Sequence, residues 1–252
     1  MRMPVVFVGH GSPMNAIEDN IYTKVWKDLG EKIPRPKAIL SISAHWQTRG
    51  TEVNDSLNPK QIYDFYGFPH ELYEVVYEAD GNKELAERVM AVLGESVSVD
   101  NGWGIDHGSW SVLSRIYPNA DVPVVQVSLN YDISPREHFE LGQRLSVLRD
   151  EGYLIFGSGN IVHNLGMIDW SLSGGFSWSI EFDDMVKRSI IEGDYGSLIE
   201  LGHDGGSLAV PTSEHYLPLV YCLGAAGESE NVEVFNEGCV LGSISMTSYI
   251  FK

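Results

Sequence analysis

Cationic side chains are scarce in this sequence. Against 35 aspartates and glutamates stand only 17 lysines and arginines, a formal net charge of −18 over 252 residues. Such a surface repels phosphate backbones and anionic headgroups, so neither nucleic acid nor a membrane is expected as a partner. Cysteine is scarcer still, with Cys222 and Cys239 alone. The count would allow one disulfide, but two reduced thiols in or near the core of a cytosolic protein is the commoner arrangement, and a cytoplasmic location is the expectation. No apolar run approaches the roughly 20 residues that span a bilayer. The short run at residues 4–8 gives way at once to Gly9-His10-Gly11-Ser12-Pro13, with no secretory h-region. Also missing are a Walker-type phosphate loop, a dinucleotide G-x-G-x-x-G after a strand, and H-E-x-x-H. Gly157-Ser158-Gly159 falls short of the G-x-S-x-G nucleophile elbow.

What is present is a chain with 43% apolar residues, enough for a substantial core, and only 21% charged residues, which argues against disorder. One domain over residues 1–252 is expected, since no repeat, low-complexity run or linker divides it. Short apolar runs alternate with amphipathic ones, the mark of an α/β layered domain. Strands are expected at residues 4–8, 38–43, 72–77, 97–99, 122–129, 153–156, 232–235 and 243–250. Helices are expected at 15–29, 80–93 capped by Asp80, 177–192 and 195–201, with another capped by Thr212 and running through 219–226. Ser134-Pro135-Arg136-Glu137 combines a Ser cap, Pro at the first helical position and the Glu of a capping box, so a helix should run from there to about residue 150. Residues 48–69 form a loop-rich insert carrying Tyr63, Phe65, Tyr66 and Phe68, either a pocket wall or lid or a satellite of the core.

The eight histidines carry the chemistry. His10 and His45 each follow a strong buried strand by two residues, and small neighbours (Gly9, Gly11, Ala44) would let a ligand approach. His163 lies seven residues past the strand at 153–156. In open α/β sheets ligands collect at the carboxyl ends of the strands, so parallel strands would bring these three imidazoles to one rim. His215, near a helix start, and His107, in a Gly-flanked loop, could reach it from the sides. Neutral imidazole suits Zn and Fe, and two or three such ligands with open positions make a catalytic metal site. His70, His138 and His203 have surroundings that add nothing to such a case; His138 sits inside an amphipathic helix.

Five segments in order then resemble a known family: Gly9-His10-Gly11-Ser12-Pro13, Ser43-Ala44-His45-Trp46, Asp106-His107-Gly108-Ser109-Trp110, Gly157-Ser158-Gly159-Asn160-Ile161-Val162-His163-Asn164-Leu165 and Glu214-His215-Tyr216-Leu217-Pro218-Leu219. Together they resemble the class III extradiol ring-cleavage dioxygenases of the LigB type, in the 4,5-DOPA extradiol branch. The resemblance implies a three-layer α/β/α sandwich around a mixed, largely parallel sheet. It implies His10, His45, His163 and His215 as metal ligands, with His163 also the candidate acid–base residue and His107 a substrate-binding or proton-shuttling residue. Glu214 competes with His215 for the last ligand position, because the broader family uses two histidines and a carboxylate.

The implied activity is insertion of O2 into a catechol such as L-DOPA, with Fe(II) as the working metal; Zn(II) could fill the same site without the redox chemistry. Histidine suits the acid–base role because it titrates near pH 6.5. Trp46, Trp110 and Tyr216 are candidate walls for the ring pocket. Two other readings compete: a zinc-dependent hydrolase on the same fold, and a non-catalytic metal-binding interaction protein. Oligomeric state is not legible.

Overall fold

The first strand, β1 (Val5–Gly9), is buried along its whole length, and its side chains alternate between two separate cores. Val5 and Phe7 face one core, Val6 and Val8 the other. A strand covered on both faces reads as an unbroken apolar run, which is why the sequence signal was strong here. The computed structural model describes residues 2–94, 97–201, 207–227 and 230–252.

Around β1 the chain builds an eight-stranded sheet in the order β4-β3-β5-β2-β6-β1-β10-β7. These strands are β2 (Ala38–Thr48), β3 (Thr51–Val53), β4 (Val97–Val99), β5 (Val124–Asn130), β6 (Tyr153–Gly159), β7 (Val232–Phe235) and β10 (Ser248–Phe251). The centre, β5-β2-β6-β1, is parallel throughout; β10 and β7 add antiparallel on one side, and β3 joins β5 antiparallel on the other. A separate two-stranded ribbon pairs β8 (Cys239–Val240) with β9 (Ile244–Ser245).

Helices cover both faces. One core takes side chains from α3 (Lys83–Leu93), α5 (Pro135–Leu145), α6 (Val147–Asp150), α7 (Ser177–Glu192), α8 (Tyr195–Leu201) and α9 (Leu217–Ala226). The other takes Trp26 and Leu29 of α1 (Ile21–Lys32) and Trp110, Val112, Leu113 and Ile116 of α4 (His107–Ile116). This is the expected mixed, mostly parallel sheet between helical layers. Among the described residues no helix is long and apolar enough to cross a membrane. Cys222 and Cys239 are free and buried.

Several local expectations need correction. Residues 72–77 form no strand: α2 (His70–Tyr73) occupies their start, and no neighbouring strand pairs with the rest. β2 does not stop at Ser43; after a register slip between Ile42 and Gln47 it pairs again with β5, so His45 lies inside the strand. The first helix begins at Ile21, capped by Asn20, after a separate 3₁₀ turn at Pro13–Ala16. Asn82, not Asp80, caps α3. Thr212 does not cap α9; Tyr216 precedes it, and Pro218 sits in its first turn, where the missing N–H is harmless.

Candidate metal centre

The parallel strands β1, β2 and β6 deliver three histidines to one rim. His10 directly follows β1, and its N–H donates to Gly159 O at 3.0 Å. His163 lies beyond β6, where its N–H donates to Ala209 O at 3.0 Å. His215 precedes α9, and its carbonyl accepts from Asn160 N–H at 2.8 Å. His107 opens α4, whose cap, Asp106, accepts from Ser109 N–H. Gly108 makes the junction fit, since a Cβ there would lie 2.6 Å from Ser43 Oγ and 2.8 Å from His45 Cδ2. All five imidazoles line one cavity of about 440 Å³. This is an ordinary volume for a small-molecule site.

The rings pack closely. His10 and His45 have centroids 5.1 Å apart, and His215 stands 5.3 Å from His10 and 5.0 Å from His45. His107 lies 3.9 Å from His45 and 6.0 Å from His10. His163 stacks on His215 at 3.5 Å with an interplanar angle of 9°.

Their hydrogen-bond partners set the tautomers. Ser158 Oγ has one proton and donates it to Gly108 O. His10 Nδ1, 3.0 Å from Ser158 Oγ, must therefore be the donor in that contact, leaving Nε2 with a lone pair. His45 Nδ1 lies 3.2 Å from Asp64 Oδ2. Burial alone would raise the Asp64 carboxyl, but the close approach of the His107 and His45 rings holds it well below the carboxylate range. The carboxylate lies within ion-pair distance of His45 Nδ1 but makes no aligned hydrogen bond with it, so His45 can carry its proton on either nitrogen. The two Nε2 atoms face each other at 3.3 Å. His10 Nε2 can accept from His45 Nε2–H at that separation, and an ion against both nitrogens would take the place of that proton. His215 Nδ1 similarly points to Glu214 Oε1 at 3.1 Å. His10 and His215 are each oriented through Nδ1, the arrangement in which a metal-binding histidine is fixed from behind.

Four of the imidazoles, His10, His107, His163 and His215, are pushed toward the neutral form. Burial first, and then the neighbouring histidines, put His10 and His215 well below the usual histidine range. Burial pushes His163 down to about 4 although Glu214 pulls the other way. Burial lowers His107 too, against the opposing carboxylate of Asp64. Neutral imidazole is the metal-binding form. Two sets bring their ligand atoms within 4.8 Å of one another: His10, His45 and His107, and His163, Glu214 and His215. The residues therefore fit a divalent metal, and imidazole-rich donor sets suit iron and zinc.

Other expected residues lie elsewhere. Trp46 does not line the cavity: alternation along β2 sends it to the face opposite His45, where it is 3% exposed and stacks with Trp103 at 6.4 Å. Tyr216 is fully buried, and its hydroxyl donates to Leu198 O. Trp110 is buried behind the site, donating from Nε1 to Ile62 O. The aromatic wall comes instead from Phe65 and Phe68 of the loop insert, which both line the cavity and pack against the second core, with Tyr22 and Trp170 also lining it. His70 is exposed beside Glu74, and His138 is buried with Nδ1 3.0 Å from Ser134 O. His203 lies outside the described residues. Asp64, which touches two of the five histidines, went unnoticed; the signal was a lone carboxylate inside the aromatic run Tyr63-Asp64-Phe65-Tyr66-Gly67-Phe68.

Comparison with known proteins bears directly on this geometry. The profile of the catalytic LigB subunit of aromatic ring-opening dioxygenase matches residues 4–252. The chain is 46% identical to the 4,5-DOPA dioxygenase extradiol of Escherichia coli (strain K12), over 98% of this chain and 94% of that protein. It is 39% identical to the 4,5-DOPA dioxygenase extradiol of Beta vulgaris, over 97% and 95%. A crystal structure of an uncharacterized protein from Escherichia coli K12 superposes with a TM-score of 0.87 at 42% identity, covering 100% of both chains.

Proposed function

Because this chain belongs to the LigB family and is an extradiol, aromatic ring-opening dioxygenase, we propose that its substrate is a catechol such as L-DOPA, cleaved at the 4,5 bond, with Fe(II) held by His10, His45 and His215. The catalytic domain in this reading is the whole chain, 1–252. The observation that supports the ligand assignment is the approach of His10 Nε2 and His45 Nε2 to 3.3 Å, with the His215 ring centroid 5.3 Å from that of His10 and 5.0 Å from that of His45. When bound, the ion supplies Lewis acidity at the two diol oxygens and an electron path to O2, which is why Fe(II) is the working metal and Zn(II), which these imidazoles would equally hold, is not.

His163, a candidate both as ligand and as acid–base residue, takes the second role. A metal-bound imidazole keeps the ion near its own ring plane, about 2 Å from nitrogen. Two rings stacked face to face at 3.5 Å aim their in-plane lone pairs along parallel planes, which supports His215 as the ligand and His163 as the acid–base residue of this reading. Being neutral, His163 can accept a phenolic proton at a ring nitrogen and return it later. His107 faces the same pocket and is the second place a substrate proton could rest. Phe65, Phe68, Leu165, Ile168, Ile244 and Met246 give the cavity an apolar lining that suits an aromatic ring and limits water around it.

The test is reconstitution. Metal-free protein loaded anaerobically with ferrous iron and given L-DOPA and air should consume O2 and form a yellow semialdehyde product. His10→Ala and His45→Ala should abolish both; His163→Ala should bind metal but turn over at least about 100-fold more slowly, the usual share of a general base. Normal turnover by His10→Ala or His45→Ala would overturn the ligand assignment. Turnover of other catechols but not L-DOPA would overturn the substrate.

A further inference from the structure

Asp106 is wholly buried, and donors from β2, β5, α4 and the loop before α4 converge on its two oxygens. Ser43 Oγ of β2 donates to Oδ1 at 2.7 Å, and the Ser109 N–H of α4 donates to the same oxygen at 3.2 Å. Gln126 Nε2 of β5 donates to Oδ2, as does Trp103 Nε1 at 3.4 Å. Gln126 is itself buried, and the other end of its amide is used too: Oε1 accepts from Ser109 Oγ at 3.1 Å and from the Asp106 N–H at 3.4 Å. Neither side chain lines the cavity. Gln126 pairs with Ser41, one residue short of the point where β2 slips its register against β5 between Ile42 and Gln47. Within that slip the His45 N–H donates to Ser43 Oγ at 3.3 Å, and Ser43 passes its own proton to Asp106. On its other side Asp106 caps α4, whose first residue is His107.

We propose that Asp106 and Gln126 form a positioning pair that fixes the backbones of His45 and His107, and with them the spacing of two rings whose centroids stand 3.9 Å apart. The inference rests on the reading of His45 as a metal ligand. A strand whose pairing is interrupted leaves backbone groups to be satisfied elsewhere, and a buried one left unpaired is costly. Here one carboxyl organises the interruption. It anchors Ser43, which takes up the His45 N–H, and through Ser109 it holds the start of α4 against the same point. The junction has no slack: a Cβ on Gly108 would lie 2.6 Å from Ser43 Oγ and 3.3 Å from Asp106 Oδ1. Its polarity also runs one way, since both Asp106 oxygens accept and Gln126 faces them with its NH2. Asp106→Asn sets one NH2 against another, whereas Asp106→Asn/Gln126→Glu again places a donor opposite an acceptor, with one carboxyl and one amide as before.

Two measurements on the intact chain test this. Zn(II), as a redox-inert probe competed against a chromophoric chelator, should bind Asp106→Asn about 10- to 100-fold more weakly, the usual cost of losing an outer support of a metal-binding histidine. Gln126→Glu alone, which sets carboxyl against carboxyl, should also bind weakly, and Asp106→Asn/Gln126→Glu should recover most of both losses. In the metal-free protein, amide hydrogen exchange in Asp106→Asn should quicken at His45 and Ser109 more than in α9, and return toward native in the double variant; a general loss of stability would quicken all three alike. Ser43→Ala is the milder cut. It breaks only the link from Asp106 to the His45 N–H, so it should weaken Zn(II) binding and quicken exchange at His45 but not at Ser109. Native Zn(II) affinity in Asp106→Asn and Ser43→Ala, or a double variant no better than the product of the two single losses, would overturn the proposal. If His45→Ala binds Zn(II) as native, the ligand reading itself fails. If His45→Ala loses binding while Asp106→Asn keeps it, only the role of Asp106 and Gln126 fails.

Discussion

Gly159 offers a way to move one imidazole without touching it. It ends β6, where it is paired with Gly9 of β1, and a Cβ built on it would stand 2.1 Å from the carbonyl oxygen of His215 and 3.2 Å from Pro218 Cγ. Real Cβ contacts stay beyond 3 Å, so Gly159→Ala forces a retreat of roughly 1 Å. β6 is held between β1 and β2, so the segment that yields is the one carrying His215. The same carbonyl accepts from Asn160 N–H at 2.8 Å, and that bond stretches or breaks. Overpacking of this kind costs about 1–3 kcal/mol, and a lost backbone bond about 1 kcal/mol more. A misplacement of about 1 Å at a catalytic constellation lowers the rate on the order of 100-fold. Urea denaturation should therefore show a loss of about 2–4 kcal/mol, while Zn(II) affinity and Fe(II)-dependent O2 uptake both fall. Gly174→Ala, whose Cβ would meet nothing within 4 Å, is the control. If Gly159→Ala keeps native Zn(II) affinity and turnover, then His215 does not need its observed position, and the proposed ligand set is wrong.

Three stability predictions probe the frame around the site. Asp183 of α7 is 2% exposed and accepts from Ser245 Oγ and Thr247 Oγ1, both at 2.6 Å, on either side of the pocket residue Met246. Asp183→Ala should lose about 3 kcal/mol in urea titration, and a loss under 1 kcal/mol would show that those hydroxyls find other acceptors. Arg149, 1% exposed, donates to Met3 O, Ala225 O and the Glu230 carboxylate, so Arg149→Met should cost about 3–5 kcal/mol and lower Tm by roughly 10 °C; an unchanged melt would refute the pairing. Burial pushes His138 down to about 4 from an ordinary 6.5. The unfolded chain then binds the extra proton first, so the stabilising effect of neutral His138 is complete above pH 6.5 and fades toward pH 4, by on the order of 3 kcal/mol. His138→Phe keeps a ring against Tyr221, which His138 meets at 5.3 Å, and should flatten the fall of Tm across that range; curves parallel to native would refute it.

How far the sequence could be read depended on how one-sided its elements are. α5 begins where expected because its signal is local, the capping box of Ser134 and Glu137 forming as written, and α7 ends where expected, at Glu192, because Gly193 takes φ 75°. α4 escaped notice because every residue from His107 to Leu113 is buried, which erases the polar stripe that marks a surface helix. The apparent strand at 72–77 shows the opposite failure. Leu72 and Tyr77 are buried and Val76 is 66% exposed, an uneven pattern that a short helix followed by irregular chain produces as readily as a strand.

The site divides along the same line. His10 and His163 sit just beyond parallel strands, and the rule that ligands gather at such ends brings them to one rim from the chain order alone. His45 obeys the rule for a different reason than expected. It lies within β2, where the register slip between Ile42 and Gln47 interrupts pairing with β5 just where the ring turns to the pocket. Trp46, the next residue, consequently turns away, so its adjacency to a ligand was misleading as evidence of contact with substrate. Asp64 had no such rule behind it. A loop residue reaches a site by the path of its own anchors, here Ile62 on Ile105 and Trp110 on Ile62, and those contacts span more than forty residues of sequence. The strands thus place His10, His45 and His163, whereas the loop brings Asp64 beside His45 and His107; a variant such as Trp110→Phe, which removes the Nε1 donation to Ile62 O together with part of a fully buried ring, should loosen Asp64 and weaken Zn(II) binding while leaving the sheet intact. Unchanged affinity in that variant, with Asp64→Asn impaired, would mean that the carboxylate is held by the histidines rather than the reverse.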